Sequence, residues 1–325
     1  MKVLVSDKIA DEAIKLMEDT GLEVTIKTGM SPEELEKTIP EFDAIIVRSA
    51  TKVREPIIDA GKKLKVIARA GIGLDNIDVD YARSKGITIL RTPGATAISV
   101  AELALAHLFA LCRFIPQANI TMRKGEWHKK EYQGTELYGK TLGLLGVGNI
   151  AKAVAERAKA LGMKVIACRR SNKPLDWEEV ELKCLDDVLR EADIISLHIP
   201  LIKEEAPVIG TKEFAKMKDG VILIHCARGG VVDEKALLNA LNAGKVAAAG
   251  IDVYEEEPTK NIELISHPRV SVTPHIGAST AEGQVRAGVE TAKKVIAALK
   301  IGRWEELMRE WKGEDGGSSE GHNSP

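Results

Sequence analysis

Thr141-Leu142-Gly143-Leu144-Leu145-Gly146-Val147-Gly148-Asn149-Ile150-Ala151 decides the fold. Its first five residues form an apolar run of strand length. Residues 150–161 then carry the spacing of an amphipathic helix. Between strand and helix lies a Gly-x-Gly-x-x-Ala turn. Gly146 permits the tight turn, and Gly148 lets a pyrophosphate approach the backbone. Ala151 is small enough for helix and strand to pack closely. The phosphates would rest on the helix N-terminus. Gly146, Gly148, Asn149 and Ile150 are therefore candidate dinucleotide contacts. A second phosphate pattern, Gly134 to Thr141, has the spacing of a P-loop, GxxxxGKT. It precedes the strand instead of following it, so no helix N-terminus can face a phosphate there.

The strand–helix rhythm extends in both directions. Upstream, Lys2–Val5 and residues 22–26, 44–47, 66–68 and 87–89 read as strands. Asp11–Asp19, Pro32–Thr38 and Val79–Ser84 read as helices between them. Ser31-Pro32-Glu33-Glu34 is a helix start, with a serine N-cap, proline at the first position and acids in the first turn. Downstream, residues 164–167, 194–197, 221–225, 247–251 and 270–272 read as strands, and 234–243 as a helix. Such alternation predicts parallel sheets covered by helices on both faces. Residues 99–114 are rich in alanine and leucine and almost uncharged, so they predict a long buried helix at a domain or subunit contact. Residues 281–299 predict another long helix, which would return to the first unit. The expected domains are 1–93 with 280–312, and 94–279. Residues 313–325 lack apolar side chains and read as a disordered tail.

Composition removes other classes. Lys and Arg number 46 against 48 Asp and Glu, a net charge of −2. That balance excludes a broadly basic nucleic-acid binder and gives no attraction to an anionic membrane. No apolar run reaches 18 residues, the length at which a membrane helix is indicated. Met1 opens directly into a strand-like run, so no secretory leader is expected. Cys112, Cys168, Cys184 and Cys226 show no CxxC pairing. They read as reduced core residues of a cytoplasmic protein, with no metal site.

Three polar side chains follow strands of the second unit, where open α/β sheets hold their ligands. They are Arg228, Glu257 and His275. Each alone has an ordinary structural reading: a salt bridge, a solvated acid and a turn histidine.

Together with their surroundings they resemble the D-isomer-specific 2-hydroxyacid dehydrogenase family, most of all its phosphoglycerate dehydrogenase branch. The likeness covers residues 1 to 300. It rests on Val47-Arg48-Ser49-Ala50-Thr51-Lys52-Val53, Arg69-Ala70-Gly71-Ile72-Gly73-Leu74-Asp75-Asn76, the glycine turn, Cys226-Ala227-Arg228-Gly229-Gly230, Glu257-Pro258 and Pro274-His275-Ile276-Gly277-Ala278-Ser279-Thr280. The resemblance implies two doubly wound parallel-sheet domains: a Rossmann-type dinucleotide-binding domain and a smaller, discontinuous, flavodoxin-like substrate domain. It implies that His275 is the general acid/base and that Glu257 holds the imidazole and favours its charged form. Arg228 would bind the substrate carboxylate through its planar fork. Arg48 and Arg69 would face a substrate phosphate, and the Ala70, Gly71, Ile72 and Gly73 backbone the carboxylate. Pro200, Ala227, Asp252 and Gly277 would line the cofactor site. A site between two domains further implies closure that excludes water.

The chain departs from the family pattern at His225 and Arg91, where asparagine is usual, and at Asn149, where arginine is frequent. A further departure concerns the cofactor. The acid that normally takes the adenosine ribose is replaced by Arg169, followed by Arg170 and Ser171. Arginines suit a 2′-phosphate, so NADP is expected over NAD. The expected activity is hydride transfer between nicotinamide and C2 of a 2-hydroxy or 2-keto acid, with phosphoglycerate oxidation for serine biosynthesis as the first reading. Glyoxylate or hydroxypyruvate reduction is the alternative. A dinucleotide-sensing co-repressor is the alternative of another class. The 99–114 helix points to a homodimer.

Overall fold

The computed structural model describes residues 1–170, 175, 177 and 180–299. The chain divides into two compact units, residues 1–96 with the segment from Ala281 onward, and Ala97–Thr280.

In the first unit, β1 (Lys2–Val5), α1 (Asp11–Asp19), β2 (Glu23–Ile26), α2 (Pro32–Thr38), β3 (Ala44–Val47), α3 (Glu55–Ala60), β4 (Val66–Arg69), α4 (Val79–Ser84) and β5 (Thr88–Arg91) follow in order. Their sheet is parallel throughout, ordered β2-β1-β3-β4-β5, the flavodoxin-like arrangement. All four residues of Ala44–Val47 are buried, as expected of a central strand covered on both faces. The predicted cap of α2 forms in full. Ser31 Oγ accepts from Glu34 N at 3.2 Å, and Glu34 Oε2 accepts from Ser31 N at 3.0 Å. Strands β4 and β5 run further than their apolar residues, to Arg69 and Arg91. The parallel ladder pairs these two arginines, because backbone hydrogen bonding continues past the last apolar side chain. Helix α12 (Ala281–Ala298) belongs to this unit and packs on α1, β4 and β5.

The second unit holds α5 (Ala97–Cys112), α6 (Ile115–Arg123), β6 (Thr141–Leu145), α7 (Asn149–Ala160), β7 (Lys164–Cys168), β8 (Val180–Leu182), α8 (Leu185–Glu191), β9 (Ile194–Leu197), α9 (Thr211–Lys216), β10 (Val221–His225), α10 (Glu234–Asn242), β11 (Val246–Ile251), α11 (Ile262–Ile265) and β12 (Val270–Val272). The parallel sheet is ordered β12-β11-β10-β9-β6-β7-β8, a Rossmann arrangement with one added strand. The order reverses between β6 and β9, which is where such sheets open a ligand crevice. Strand β8 was not expected. It has three residues on the sheet edge, too short and too exposed to leave a pattern.

Two expectations are corrected. The 99–114 helix ends at Cys112, and Phe114 takes a left-handed φ of 55° before α6. Pro116 cannot donate to the Cys112 carbonyl, which accepts from Thr135 N at 2.9 Å instead. Cys184 is not a core residue. It is exposed at the N-cap of α8, with its thiol donating to Asp187 at 2.9 Å. Among the described residues no single helix is long and apolar enough to cross a membrane.

The core of the second unit also takes in His225, 4% exposed at the end of β10. Burial pushes its imidazole down to about 4, against the pull of a backbone hydrogen bond at Arg228. The unfolded chain, with an ordinary value of about 6.5, therefore takes up this proton first as pH falls. Stability held above pH ~6.5 is lost progressively as pH falls through the folded value. His225→Asn should flatten this slope: between pH 7 and 5 its urea-unfolding free energy should fall less than that of the native chain. Equal losses in both proteins would show that His225 does not titrate on unfolding.

Candidate active site

The glycine turn leaves β6 and opens α7 as its sequence predicts. Gly146 adopts φ +105°, and a Cβ there would lie 2.6 Å from the His198 carbonyl oxygen. No larger residue fits without moving backbone. Gly148 caps α7 without a side chain, and a Cβ built on it would meet nothing within 4 Å. The first turn of this twelve-residue helix carries no acid. Open space beside a helix start with no opposing charge fits a pyrophosphate. Ala151 is fully buried against the sheet, and Ile150 packs on the same core.

At the end of β7, Arg169 Nε and Nη2 are buried with no hydrogen-bond partner. Buried donors of this kind are costly unless a ligand or water meets them. Arg170 instead pairs with Glu205 on the surface. Ser171 lies outside the described residues. The donor set at Arg169 therefore suits an anion at the ribose end of a dinucleotide. Pro200 is exposed after β9, while Ala227 is buried after β10.

The structure brings Glu257 and His275 together. His275 Nδ1 lies 2.7 Å from Glu257 Oε2, and Tyr254 N donates to Glu257 Oε1 at 3.2 Å. The carboxylate is thus held by the chain that leads to it, and the imidazole keeps Nε2 for another partner. Both side chains remain open, 46% exposed for His275 and 39% for Glu257. They border a cleft of about 550 Å³ that Tyr254, Pro258, Val272 and Pro274 also line. Arg228 stands after β10, its Nη1 donating to the Ala227 carbonyl at 2.7 Å.

His275 has a left-handed backbone, φ 52°, which side chains other than glycine rarely adopt. Asp252 stabilises it. This carboxylate, 1% exposed after β11, accepts from Ile276 N at 2.8 Å and Gly277 N at 2.8 Å. It also accepts from Thr273 Oγ1 at 2.6 Å. Tyr254 adds a phenolic hydrogen bond to the Thr273 carbonyl at 3.0 Å. Sequence reasoning missed Tyr254 and Thr273, because a tyrosine and a threonine near strand ends carry no distinctive signal.

In the first unit, Arg48 and the Ala70–Gly73 segment follow β3 and β4, whose last residue is Arg69. Asp7, 8% exposed, accepts from Arg48 N at 2.6 Å and Thr51 N at 3.1 Å. Asn76 Nδ2 donates to the carbonyls of Arg48 at 2.8 Å and Thr51 at 2.6 Å. The loop from Arg48 to Thr51 is therefore braced from both sides. Arg69 Nε donates to the Arg48 carbonyl at 3.3 Å, and its guanidinium lies over Gly71.

Comparison with known proteins identifies the family. Residues 105–277 match the family model for the D-isomer specific 2-hydroxyacid dehydrogenase NAD-binding domain. A hydroxypyruvate reductase of Thermotoga maritima is 51% identical over 304 residues, covering 92% of this chain and 99% of that one. A D-3-phosphoglycerate dehydrogenase of Archaeoglobus fulgidus is 46% identical over 303 residues, covering 92% of this chain and 58% of that one. The chain thus spans little more than half the length of the Archaeoglobus protein. A glyoxylate reductase structure from Paecilomyes thermophila superposes with a TM-score of 0.84 at 34% identity, covering 92% of this chain and 95% of that one. The second unit is a binding domain for a nicotinamide dinucleotide, and the chain belongs to the D-isomer specific 2-hydroxyacid dehydrogenase family.

Proposed function

We propose that this dehydrogenase acts on a three-carbon 2-keto acid with an oxygen at C3, using Arg228, Glu257 and His275 as its catalytic residues. The observation that carries the proposal is the 2.7 Å contact between His275 Nδ1 and Glu257. With Nδ1 committed, Nε2 is the atom that gives a proton to the carbonyl oxygen on reduction and takes it back on oxidation. A nicotinamide dinucleotide held at the Gly146–Ala151 turn would supply or accept the hydride at C2. Arg228 holds the substrate carboxylate and polarises the neighbouring carbonyl through charge-assisted hydrogen bonds. Glu257 keeps the imidazole oriented.

The first reading of the substrate is 3-phosphohydroxypyruvate, with D-3-phosphoglycerate as its reduced partner. Support comes from the cationic ends of two adjacent strands: Arg69 closes β4, and Arg48 follows β3. Hydroxypyruvate is the second reading, favoured by the Thermotoga relative that matches over 99% of its length. A kcat/KM panel with 3-phosphohydroxypyruvate, hydroxypyruvate and glyoxylate separates them. Arg48→Ala or Arg69→Ala should cost the phosphorylated substrate roughly ten- to a hundredfold more than glyoxylate. Equal losses would assign these arginines to bracing the loop. His275→Ala should lower kcat by roughly 100- to 10,000-fold with dinucleotide binding intact.

We infer a preference for NADP(H) over NAD(H). The support is Arg169, with buried unpartnered donors where an acid would otherwise take the ribose. The kcat/KM ratio of NADPH to NADH should exceed one and reverse in Arg169→Asp. A native enzyme that prefers NADH overturns the inference.

We further propose a homodimer formed through α5, α6 and the segment that follows. Ile115, Ile120 and Met122 are exposed there, and Trp127 and Tyr138 are 77% and 78% exposed. Exposed apolar side chains concentrated in one stretch of the chain support an association site there. Light scattering should give twice the chain mass, and Trp127→Glu with Ile120→Glu should give monomer.

A further inference from the structure

Helix α5 is apolar on nearly every side, yet it buries a histidine. His107 is 3% exposed. It sits over Gly250 of β11, where a Cβ would lie 2.6 Å from that of His107. The missing side chain of Gly250 therefore makes the space the imidazole occupies. Its ring nitrogens reach two hydroxyls, one in β12 and one just after it: Nδ1 lies 2.9 Å from Ser271 Oγ, and Nε2 lies 3.0 Å from Thr273 Oγ1.

Counting protons fixes the direction of these bonds. Thr273 has one hydroxyl hydrogen, and it donates this to Asp252 Oδ1 at 2.6 Å. Thr273 Oγ1 must then accept from His107, so Nε2 carries the proton. Nδ1 is bare and accepts from Ser271. Burial holds the imidazole below its ordinary range, with the Asp252 charge pulling the other way, so a neutral ring with one hydrogen is the expected form. The donors run Ser271, His107, Thr273, and the last of them donates to Asp252. This is the carboxylate that accepts from Ile276 N and Gly277 N, the two residues after His275.

We propose that His107 is a positioning residue for the reaction: through Thr273 and Asp252 it fixes the turn that carries His275. This rests on the reading of His275 as the proton donor. A hydroxyl such as Thr273 can rotate, and its hydrogen can point elsewhere. The imidazole N–H occupies its acceptor side and leaves the hydrogen aimed at Asp252. Asp252 in turn holds the left-handed backbone at His275. A leucine at 107 would fill the helix–sheet space but release the hydroxyl. A glutamine can offer a carbonyl to Ser271 and an N–H to Thr273 with nearly the spacing of the two ring nitrogens.

The test is steady-state kinetics with hydroxypyruvate and reduced dinucleotide on the full chain, with dinucleotide affinity followed by nicotinamide fluorescence. His107→Leu should lower kcat about tenfold, in keeping with the cost of a small misplacement of a reacting group, and leave KM within about twofold. His107→Gln should recover most of that loss. In a His275→Asn background, His107→Leu should cost nothing further, because the group it positions is gone. Ser271→Ala, a milder change in case the leucine variant does not fold, should lower kcat about threefold by removing the donor that fixes the ring tautomer. An unchanged kcat in His107→Leu, or the same fractional loss in the His275→Asn background, overturns the proposal and makes His107 a packing residue. Retained turnover in His275→Asn alone is a different failure. It overturns the reading of His275 itself, and the purpose of the relay with it.

Discussion

Asp252 is a carboxylate in the interior, and its burial is tolerable only because three donors meet it. One is the Thr273 hydroxyl, and two are the backbone N–H groups of Ile276 and Gly277. Those two N–H groups converge on one side chain directly after the left-handed residue His275, where the chain reverses. The need to satisfy a buried charge and the placement of His275 are thus one constraint. Glu257 lies beside the imidazole because the chain from Asp252 through Tyr254 turns back on itself, with Tyr254 N held by the Glu257 carboxylate.

The first unit uses the same device. Asp7 follows β1 and collects the N–H groups of Arg48 and Thr51, while Asn76 collects their carbonyls. Neither side chain need touch a ligand. Each converts an irregular segment at a strand end into a fixed surface by satisfying backbone groups that the sheet no longer pairs. Parallel strands bring all such ends to one edge of a sheet, so braces of this kind gather where ligands are expected to bind.

The two phosphate patterns in the sequence show how far composition can mislead. Gly134 to Thr141 meets the P-loop spacing, but it runs into β6 and has no helix behind it. Gly146 to Ala151 is a commoner pattern, yet it joins β6 to α7. What separates them is the direction in which helix N–H groups point. Likewise the four cysteines look alike in sequence. Three are buried, and Cys184 caps a surface helix.

The sequence by itself determined the alternation of strands and helices, the glycine turn, the caps and the order of the motifs. Each depends on residues close together in the chain, where periodicity and backbone preference act directly. Arg228, Glu257 and His275 stand out as candidates for a related reason: each follows a strand, and strand ends are where such sheets hold ligands. Only the tertiary structure decided which polar groups meet. His107 lies 164 residues from Ser271 and 166 from Thr273, and its pairing with them depends on α5 lying across the sheet at Gly250. Its chemistry was hidden because an isolated histidine in an apolar helix looks like any buried side chain. Arg169 and Arg170 read alike as neighbours, but folding left one with buried, unpartnered donors and gave the other a carboxylate on the surface. Hydrogen bonds act over about 3 Å of space whatever the separation along the chain, so their partners are fixed only when the fold closes.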